Sequence, residues 1–195
     1  MNNYIVDIFR DIVKQVSLTQ EISDKILELY PLNNGAITYL HGHPTELVKV
    51  LNEILGEQNC GANKYPAILL FQDFEEREID SKYSTADLHL IIVNSTTPHL
   101  LAHERYEKNF KPLLMPIYDR FIQLVRRRNA DYKLNVRKID RLYWGQKGLA
   151  YYDEGGTKNV FNDYLDAIEV FITFKYLTKN CKQNEALEPD CASQI

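Results

Sequence analysis

The sequence predicts one α+β domain: N-terminal helices, a mainly antiparallel sheet of about four strands packed against one long helix, and an extended arm. Helical spacing of apolar residues dominates the first thirty positions, whereas apolar runs and alternating patterns dominate two later regions. The chain has 195 residues, of which 45% are hydrophobic and 26% charged, as is usual for a globular chain with a single core.

Three helices are predicted before residue 60. In the first, apolar residues from Ile5 to Val16 recur every three or four positions. The second runs from Gln20 to Tyr30 and stops at Pro31 and the turn that follows. For the third, Thr45 is the expected N-cap and Gly56 the expected C-cap.

Four segments have the pattern of strands. Ala36 to Leu40 is short, and Pro66 to Phe74 contains a continuous apolar run typical of a buried strand. In Thr85 to Ser95 successive side chains should point to opposite faces, and Tyr164 to Leu177 alternates between apolar and polar residues. These segments should form the sheet.

The stretch from Leu101 to Arg128 predicts a long helix, or two in series. Pro112 and Pro116 each remove a backbone donor, so a break or kink is expected near Phe110. The helix from Pro112 to Arg128 should form the body of the domain together with the sheet.

The segment that follows is harder to assign. Tyr132 to Tyr143 fits either a strand or an extended arm, and four glycines between residues 145 and 156 indicate turns. We therefore assign residues 1–177 to one domain, with an arm or hairpin insertion at 129–162. The polar tail 178–195 is expected to be disordered or held only by a neighbour.

Composition argues against several classes of function. The formal net charge of −4 does not suit a chain that coats nucleic acid or anionic lipid. The apolar runs fall far short of the roughly 20 residues that span a bilayer, and the charged N-terminus is unlike a signal peptide. Cys60, Cys181 and Cys191 are widely spaced and fit incidental thiols in a reducing compartment. An intracellular protein without a membrane partner is expected.

Charge is unevenly distributed along the chain. Ten basic residues against three acidic ones lie between Lys111 and Lys147, whereas six acidic residues against two basic ones lie between Asp73 and Asp87. The candidate interface or DNA-facing residues are Arg126, Arg127, Arg128, Lys133, Arg137, Lys138, Arg141, Tyr143 and Trp144. The candidate acidic interface consists of Asp73, Glu75, Glu76, Glu78 and Asp80. The basic segment could contact phosphates and bases, or dock on an acidic neighbour.

Local motifs for catalysis or metal binding are incomplete. The pairs His41 with His43 and His99 with His103 lack the further ligands of a zinc site, and the second pair shares a helical face only if the helix has begun by His99. The glycines near residue 150 lack the setting of a phosphate loop. We expect no metal, no cofactor and no enzymatic activity. A small hydrolase site assembled from Asp87, His89 and His99 is a further alternative.

Three segments carry a resemblance to known proteins: residues 64–71 (KYPAILLF), the strand from Asp87 to Thr96, and residues 104–118 (ERYEKNFKPLLMPIY). Together they resemble proteins from the structural modules of tailed phages of gut bacteria, over about half of the chain. The order of elements is similar to that of the tail terminator and tail completion family. The stretch from Arg127 to Asn162 is longer than a minimal member needs, so a neck ring of a short-tailed phage with an added arm is an alternative position.

This resemblance implies a non-enzymatic structural protein of the virion, present in the host cytoplasm during assembly. Family members form a ring at the head-proximal end of the tail, seal the tail tube and offer the neck a docking surface. The implied partners are further copies of the chain and neighbouring neck, portal-adaptor or tail-tube proteins, with DNA passing through the ring as another candidate. The main alternative is a nucleic-acid-binding or regulatory domain that uses the basic residues from Arg126 to Arg141.

Overall fold

A computed structural model describes residues 4–53, 64–79, 83–97, 99–128, 135–142, 150–153, 156–159 and 164–177. From residue 135 onward, side chains are described only for residues 164–176. It has the α+β fold that the sequence predicts. The helices are α1 (Ile5–Ser17), α2 (Gln20–Leu29), α3 (Pro44–Glu53), α4 (Ala102–Arg105), a π-helix (Tyr106–Leu114) and α5 (Met115–Arg128), with a 3-10 turn at Pro31–Asn33.

The strands are β1 (Thr38–Gly42), β2 (Ala67–Phe71), β3 (Glu76–Glu78), β4 (Tyr83–Ser95), β5 (Asn135–Leu142), β6 (Ala150–Asp153), β7 (Gly156–Asn159) and β8 (Leu165–Leu177). The main sheet has the order β1-β2-β4-β8-β5, and β3 also pairs with β4. Among the strands that the structure describes in this sheet, only β1 and β2 are parallel; the other pairs are antiparallel. The sheet is thus larger than the four strands expected, and of mixed direction.

One face of the sheet is covered by helices and holds the larger core. Phe9 of α1 is fully buried, with its ring 5.9 Å from that of Phe121 in α5 and 5.1 Å from that of Phe174 in β8. Alternate residues of β4, including Leu88 and Leu90, complete this core from the sheet. The two-residue period of the strand therefore places its apolar side chains beneath the helices, as the sequence predicts.

The other face holds a smaller core beneath α3. Leu47 and Leu51 of α3 pack with Leu69, Ile91 and other residues near one end of the sheet. Lys64 is buried next to this core, and its Nζ donates a hydrogen bond to the Leu51 carbonyl oxygen at 3.0 Å. That bond satisfies a carbonyl near the end of α3, where intrahelical donors run out.

Three predicted details are corrected. The N-cap assigned to Thr45 is wrong: α3 begins at Pro44, and the imidazole Nδ1 of His43 accepts a hydrogen bond from the Thr45 backbone N–H at 3.4 Å. Proline suits the first helical position because its missing N–H has no intrahelical partner there. The first strand lies two residues later than predicted, at Thr38–Gly42, and the second ends at Phe71 rather than at residue 74.

The interruption predicted near Phe110 is a nine-residue π-helix that contains Pro112. It continues directly into α5, so residues 102–128 stay helical throughout. Wider π-helical turns leave room for a residue without an N–H, which explains how proline enters without ending the helix.

Part of the predicted arm belongs to the sheet. Residues of β5 pair with β8 from Asn135 opposite Thr173 to Leu142 opposite Ala167, with an irregularity between Val136 and Lys138. Strands β6 and β7 form a separate two-stranded hairpin. The sequence predicted either a strand or an extended arm for Tyr132 to Tyr143, and residues 135–142 form a strand. Gly56 and the tail 178–195 lie outside the described residues.

Candidate intersubunit edges

An acidic edge, defined here as residues 73–78, lies on one side of the sheet. Strand β3 pairs with Ser84, Thr85 and Ala86 of β4, and β8 pairs with the same β4 residues from the other side. Strands β2 and β3 therefore lie end to end along one side of β4. Within the described part of the chain, the outer side of β3 has no partner strand.

Carboxylates are exposed along this edge. Those of the predicted acidic set that the structure describes are Asp73, Glu75, Glu76 and Glu78, all exposed, while Asp80 lies outside the described residues. Unpaired backbone groups of an edge strand can pair with another chain, and charged side chains select which chain is accepted.

Two contacts hold the acidic edge on the sheet. The Tyr176 hydroxyl donates a hydrogen bond to Glu76 Oε2. Burial raises the pKa of Tyr176, and the bond to Glu76 raises that pKa further, so the hydroxyl stays a donor at neutral pH. On the opposite face, Arg77 forms an ion pair with Asp87 at 3.1 Å. The edge is anchored while Glu75 and Glu78 stay available.

A basic edge lies on the opposite side of the same sheet. Strand β5 contains Arg137, Lys138 and Arg141 against one acidic residue, Asp140, and pairs with β8. At the end of α5 the residues Arg126–Arg128 are exposed, and Arg128 lies 4.0 Å from Asp11 of α1. Lysine and arginine at a helix C-terminus also suit the negative end of the helix dipole.

The two edges are too far apart to neutralise each other within one molecule. Three strand spacings, from β3 through β4 and β8 to β5, separate them, or about 14 Å at about 4.8 Å per spacing. The Debye length is about 8 Å at physiological salt. Screening therefore weakens any attraction between the two edges within one molecule. Of the predicted basic set, Lys133, Tyr143 and Trp144 lie outside the described residues.

Between the edges, the face not covered by α1 and α5 carries a polar row that the sequence did not single out as a unit. His89 Nε2 lies 2.5 Å from Glu169 Oε1, and the His89 ring stacks on Phe171 with centroids 4.3 Å apart. Thr173 donates a hydrogen bond to Asp87 at 2.5 Å. The alternation along β4 predicts that Asp87 and His89 lie on the same face. Their partners on β8 could not be predicted, because they depend on the register between β4 and β8.

The end of the sheet opposite β3 contains a buried amide network. Asn94 donates a hydrogen bond to Asn109 Oδ1 at 3.1 Å, and Asn109 donates one to Asp166 Oδ2 at 2.7 Å. Tyr30 donates to Asn94 Oδ1 at 2.8 Å, and Arg105 lies 3.7 Å from Asp166 Oδ1. Asn94 and Asp166 are fully buried. The sequence signal for this network is the presence of polar residues within otherwise apolar strand segments. Such residues indicate a hydrogen-bonded network, because buried polar groups require partners.

The structure does not bring together the histidine-containing sets that the sequence offered as candidate metal or hydrolase sites. Helix α4 begins at Ala102, after His99, so His99 and His103 do not share a helical face. Asp87 and His89 lie in the middle of β4, whereas His99 follows its end at Ser95. Among the described residues, no group of three or more His, Cys, Asp and Glu side chains is placed to hold a metal ion.

Comparison with models of known protein families gives no match, and comparison with curated protein sequences gives none either. No helix in the described ranges is long and apolar enough to cross a membrane.

Proposed function

We propose that this protein is a structural subunit of a phage virion that forms a closed ring at the neck or tail terminus, joining the head and connector to the tail. The observation that carries the proposal is the pair of oppositely charged edges on one sheet. An edge that complements a different edge of the same chain gives a head-to-tail contact, and such contacts close into a ring when the rotation between subunits permits.

In the proposed ring, β3 and its flanking carboxylates of one subunit lie against β5 and the end of α5 of the next. Charge complementarity would set the register and exclude parallel stacking of like edges, while contributing less to affinity than buried apolar contacts. The hairpin formed by β6 and β7, which is separate from the main sheet, would extend this contact.

The ring's partners would be neighbouring neck, portal-adaptor or tail-tube proteins, and DNA would pass through its centre. Chemistry is not part of this role, so the protein acts without a metal or cofactor. Arg126–Arg128, which are exposed at the end of α5, are the residues we propose to face either DNA or the next subunit.

The proposal is tested by the mass and symmetry of the purified protein. Native mass spectrometry and negative-stain microscopy, with and without candidate neck and tail proteins, should reveal a closed homo-oligomer of one size. Deleting residues 149–160, which contain the β6–β7 hairpin but not β5, should weaken assembly while the circular dichroism spectrum is preserved. A monomer under all of these conditions would contradict the ring.

The nucleic-acid alternative is favoured by one observation, the exposure of three consecutive arginines at the end of α5. It makes a different prediction. Affinity for a defined duplex should then be high at physiological salt and should be lost when Arg126, Arg127 and Arg128 are replaced by alanine. The ring proposal instead expects weak binding to random duplex that falls steeply with salt, as counterion release requires.

A further inference from the structure

Strand β1 lies at one end of the strand order of the main sheet, and among the described strands it pairs with β2 alone. Two hydrogen bonds show which of its backbone groups face β2. The Thr38 N–H donates to the Pro66 carbonyl oxygen at 3.0 Å, and the Gln72 N–H donates to the Gly42 carbonyl oxygen at 2.9 Å. Alternate residues of a paired strand bond to the same neighbour, so Thr38, Leu40 and Gly42 use their backbone groups on β2.

The backbone N–H and C=O groups of Tyr39 and His41 consequently point to the outer side of β1. Within the described part of the chain, none of these four groups forms a hydrogen bond. Ile37, two residues earlier, also points its N–H outward, but that group donates to Ser17 Oγ of α1 at 3.0 Å. Edge strands are usually protected by charged side chains, proline or a bulge, and β1 contains none of these. The edge is therefore open at Tyr39 and His41.

The face of α1 that borders this open edge is basic. Ser17 lies on that face because of its hydrogen bond to residue 37, and Arg10 and Lys14 precede it by seven and three residues, so the three share one side of the helix. Together with Tyr39 they line a groove of about 440 Å³. Arg10 and Lys14 are both exposed. Arg10 pairs with Asp7 at 2.5 Å, but both side chains are more than half exposed, and such pairs contribute little.

We propose that β1 accepts an extended acidic segment of a partner protein as an additional strand. The backbone of that segment would bond to Tyr39 and His41, and carboxylates at alternate positions would lie next to Arg10 and Lys14. The side chain of Tyr39 marks the face concerned, since its hydroxyl donates to the Val6 carbonyl oxygen of α1 at 3.1 Å. Pairing with β1 of a second copy is disfavoured, because a two-fold axis would bring two basic helix faces together.

The probe is a short peptide that alternates Glu and Val, and its binding to the full chain is measured by fluorescence anisotropy. One matched peptide has Lys in place of Glu, and another carries N-methyl groups on its backbone nitrogens, which removes its hydrogen-bond donors. On the protein, His41→Pro removes an outward N–H and obstructs an incoming strand, whereas the control His41→Val keeps that N–H. Proline is tolerated at an edge position whose N–H faces solvent, so the fold should be retained.

The Glu peptide should bind at least about tenfold more tightly than the Lys peptide and the N-methylated peptide, and His41→Pro should weaken its binding by a similar factor. Arg10→Glu with Lys14→Glu should reverse the preference between the Glu and Lys peptides. The control Lys108→Glu with Lys111→Glu makes the same change in net charge on exposed residues of the π-helix and should leave the preference unchanged.

Three results would overturn this proposal. The first is equal binding of the Glu peptide and either matched peptide, or by the His41→Pro and His41→Val proteins. The second is no detectable binding of the Glu peptide at millimolar concentration. The third is a homodimer that His41→Pro abolishes, because a second copy would then occupy the edge. The proposal does not depend on ring formation, which uses β3 and β5 and is measured separately by oligomeric mass.

Discussion

Asn109 and Asp166 join the long helical segment to β8: the Asn109 amide donates a hydrogen bond to Asp166 Oδ2 at 2.7 Å, and Asp166 is fully buried. Asn109 also donates to the Ser95 carbonyl oxygen at 3.1 Å, so one side chain contacts both central strands. The Arg105 guanidinium lies 3.7 Å from Asp166 Oδ1 and offsets the buried charge, although Oδ1 accepts no hydrogen bond from any described residue. This network fixes where the π-helix crosses the end of the sheet.

Replacing Asp166 tests this network. Asp166→Ala should lower the free energy of unfolding by about 3–5 kcal/mol, because it leaves Asn109 and Arg105 without their partner. Asp166→Asn should cost less, since its amide oxygen can still accept the Asn109 bond. Urea unfolding measures both. Equal losses for the two variants would show that the hydrogen bond contributes nothing beyond the charge.

Gly35 should not tolerate a side chain. Its φ is +69°, and a Cβ at this position would lie 2.2 Å from Ser23 Oγ. Gly35→Ala should therefore lower stability by about 1–3 kcal/mol through backbone strain, with the clash added. Combining it with Ser23→Ala should recover only the part due to the clash. A thermal melt of Gly35→Ala that matches the unaltered protein would contradict this account.

Glu104 should stabilise the start of α4 in a pH-dependent way. Its carboxylate accepts a hydrogen bond from the Leu101 backbone N–H at 2.8 Å, and this bond lowers the pKa of Glu104, with Lys108 and His103 acting in the same direction. A group with a lowered folded-state pKa stabilises the fold above its unfolded pKa, and this stabilisation is lost as pH falls through the folded pKa. The stability difference from Glu104→Gln should thus be present at pH 7 and vanish in acid. A difference that stays constant with pH would contradict the prediction.

Phe9 should be a main contributor to the larger core. It is fully buried between aromatic rings of α5 and β8, so Phe9→Ala should cost about 3–5 kcal/mol. Tyr4→Ala, at a position that is 63% exposed, is the control and should change stability by less than about 0.5 kcal/mol. Denaturant unfolding that ranks Tyr4→Ala as the more damaging change would refute this packing.

The parts of the fold that follow from local periodicity could be predicted from sequence. The apolar period of α1 and the alternation of β4 each depend on residues close in the chain, and both elements were placed correctly. Strand β5 could not be assigned, because its four charged residues mask any two-residue apolar pattern. Its place in the sheet depends on pairing with β8, which begins thirty positions after β5 does.

For the candidate site, the sequence predicted which segments are charged but not where those segments lie in the fold. The acidic and basic residues stand out in the sequence, but their placement on opposite edges follows from strand order, which the sequence does not encode locally. The same limit applies to Asn94 and Asp166, since a polar residue within an apolar strand does not reveal its partner. Backbone register brings these two residues opposite each other.

Complementary charge reversal tests the central claim, that the acidic edge of one subunit binds the basic edge of the next. One variant carries Glu75→Lys and Glu78→Lys, and the other carries Arg137→Glu and Lys138→Glu. A control, Glu21→Lys with Asp24→Lys, makes the same change in net charge as the first of these variants, on exposed residues of α2.

The measurement is the oligomeric mass of each variant and of their equimolar mixture by native mass spectrometry. The account predicts that each edge variant alone remains monomeric, that the mixture assembles into closed rings of alternating subunits, and that the α2 control assembles like the unaltered protein. Rings formed by either edge variant alone, or a mixture that stays monomeric while the control assembles, would contradict it.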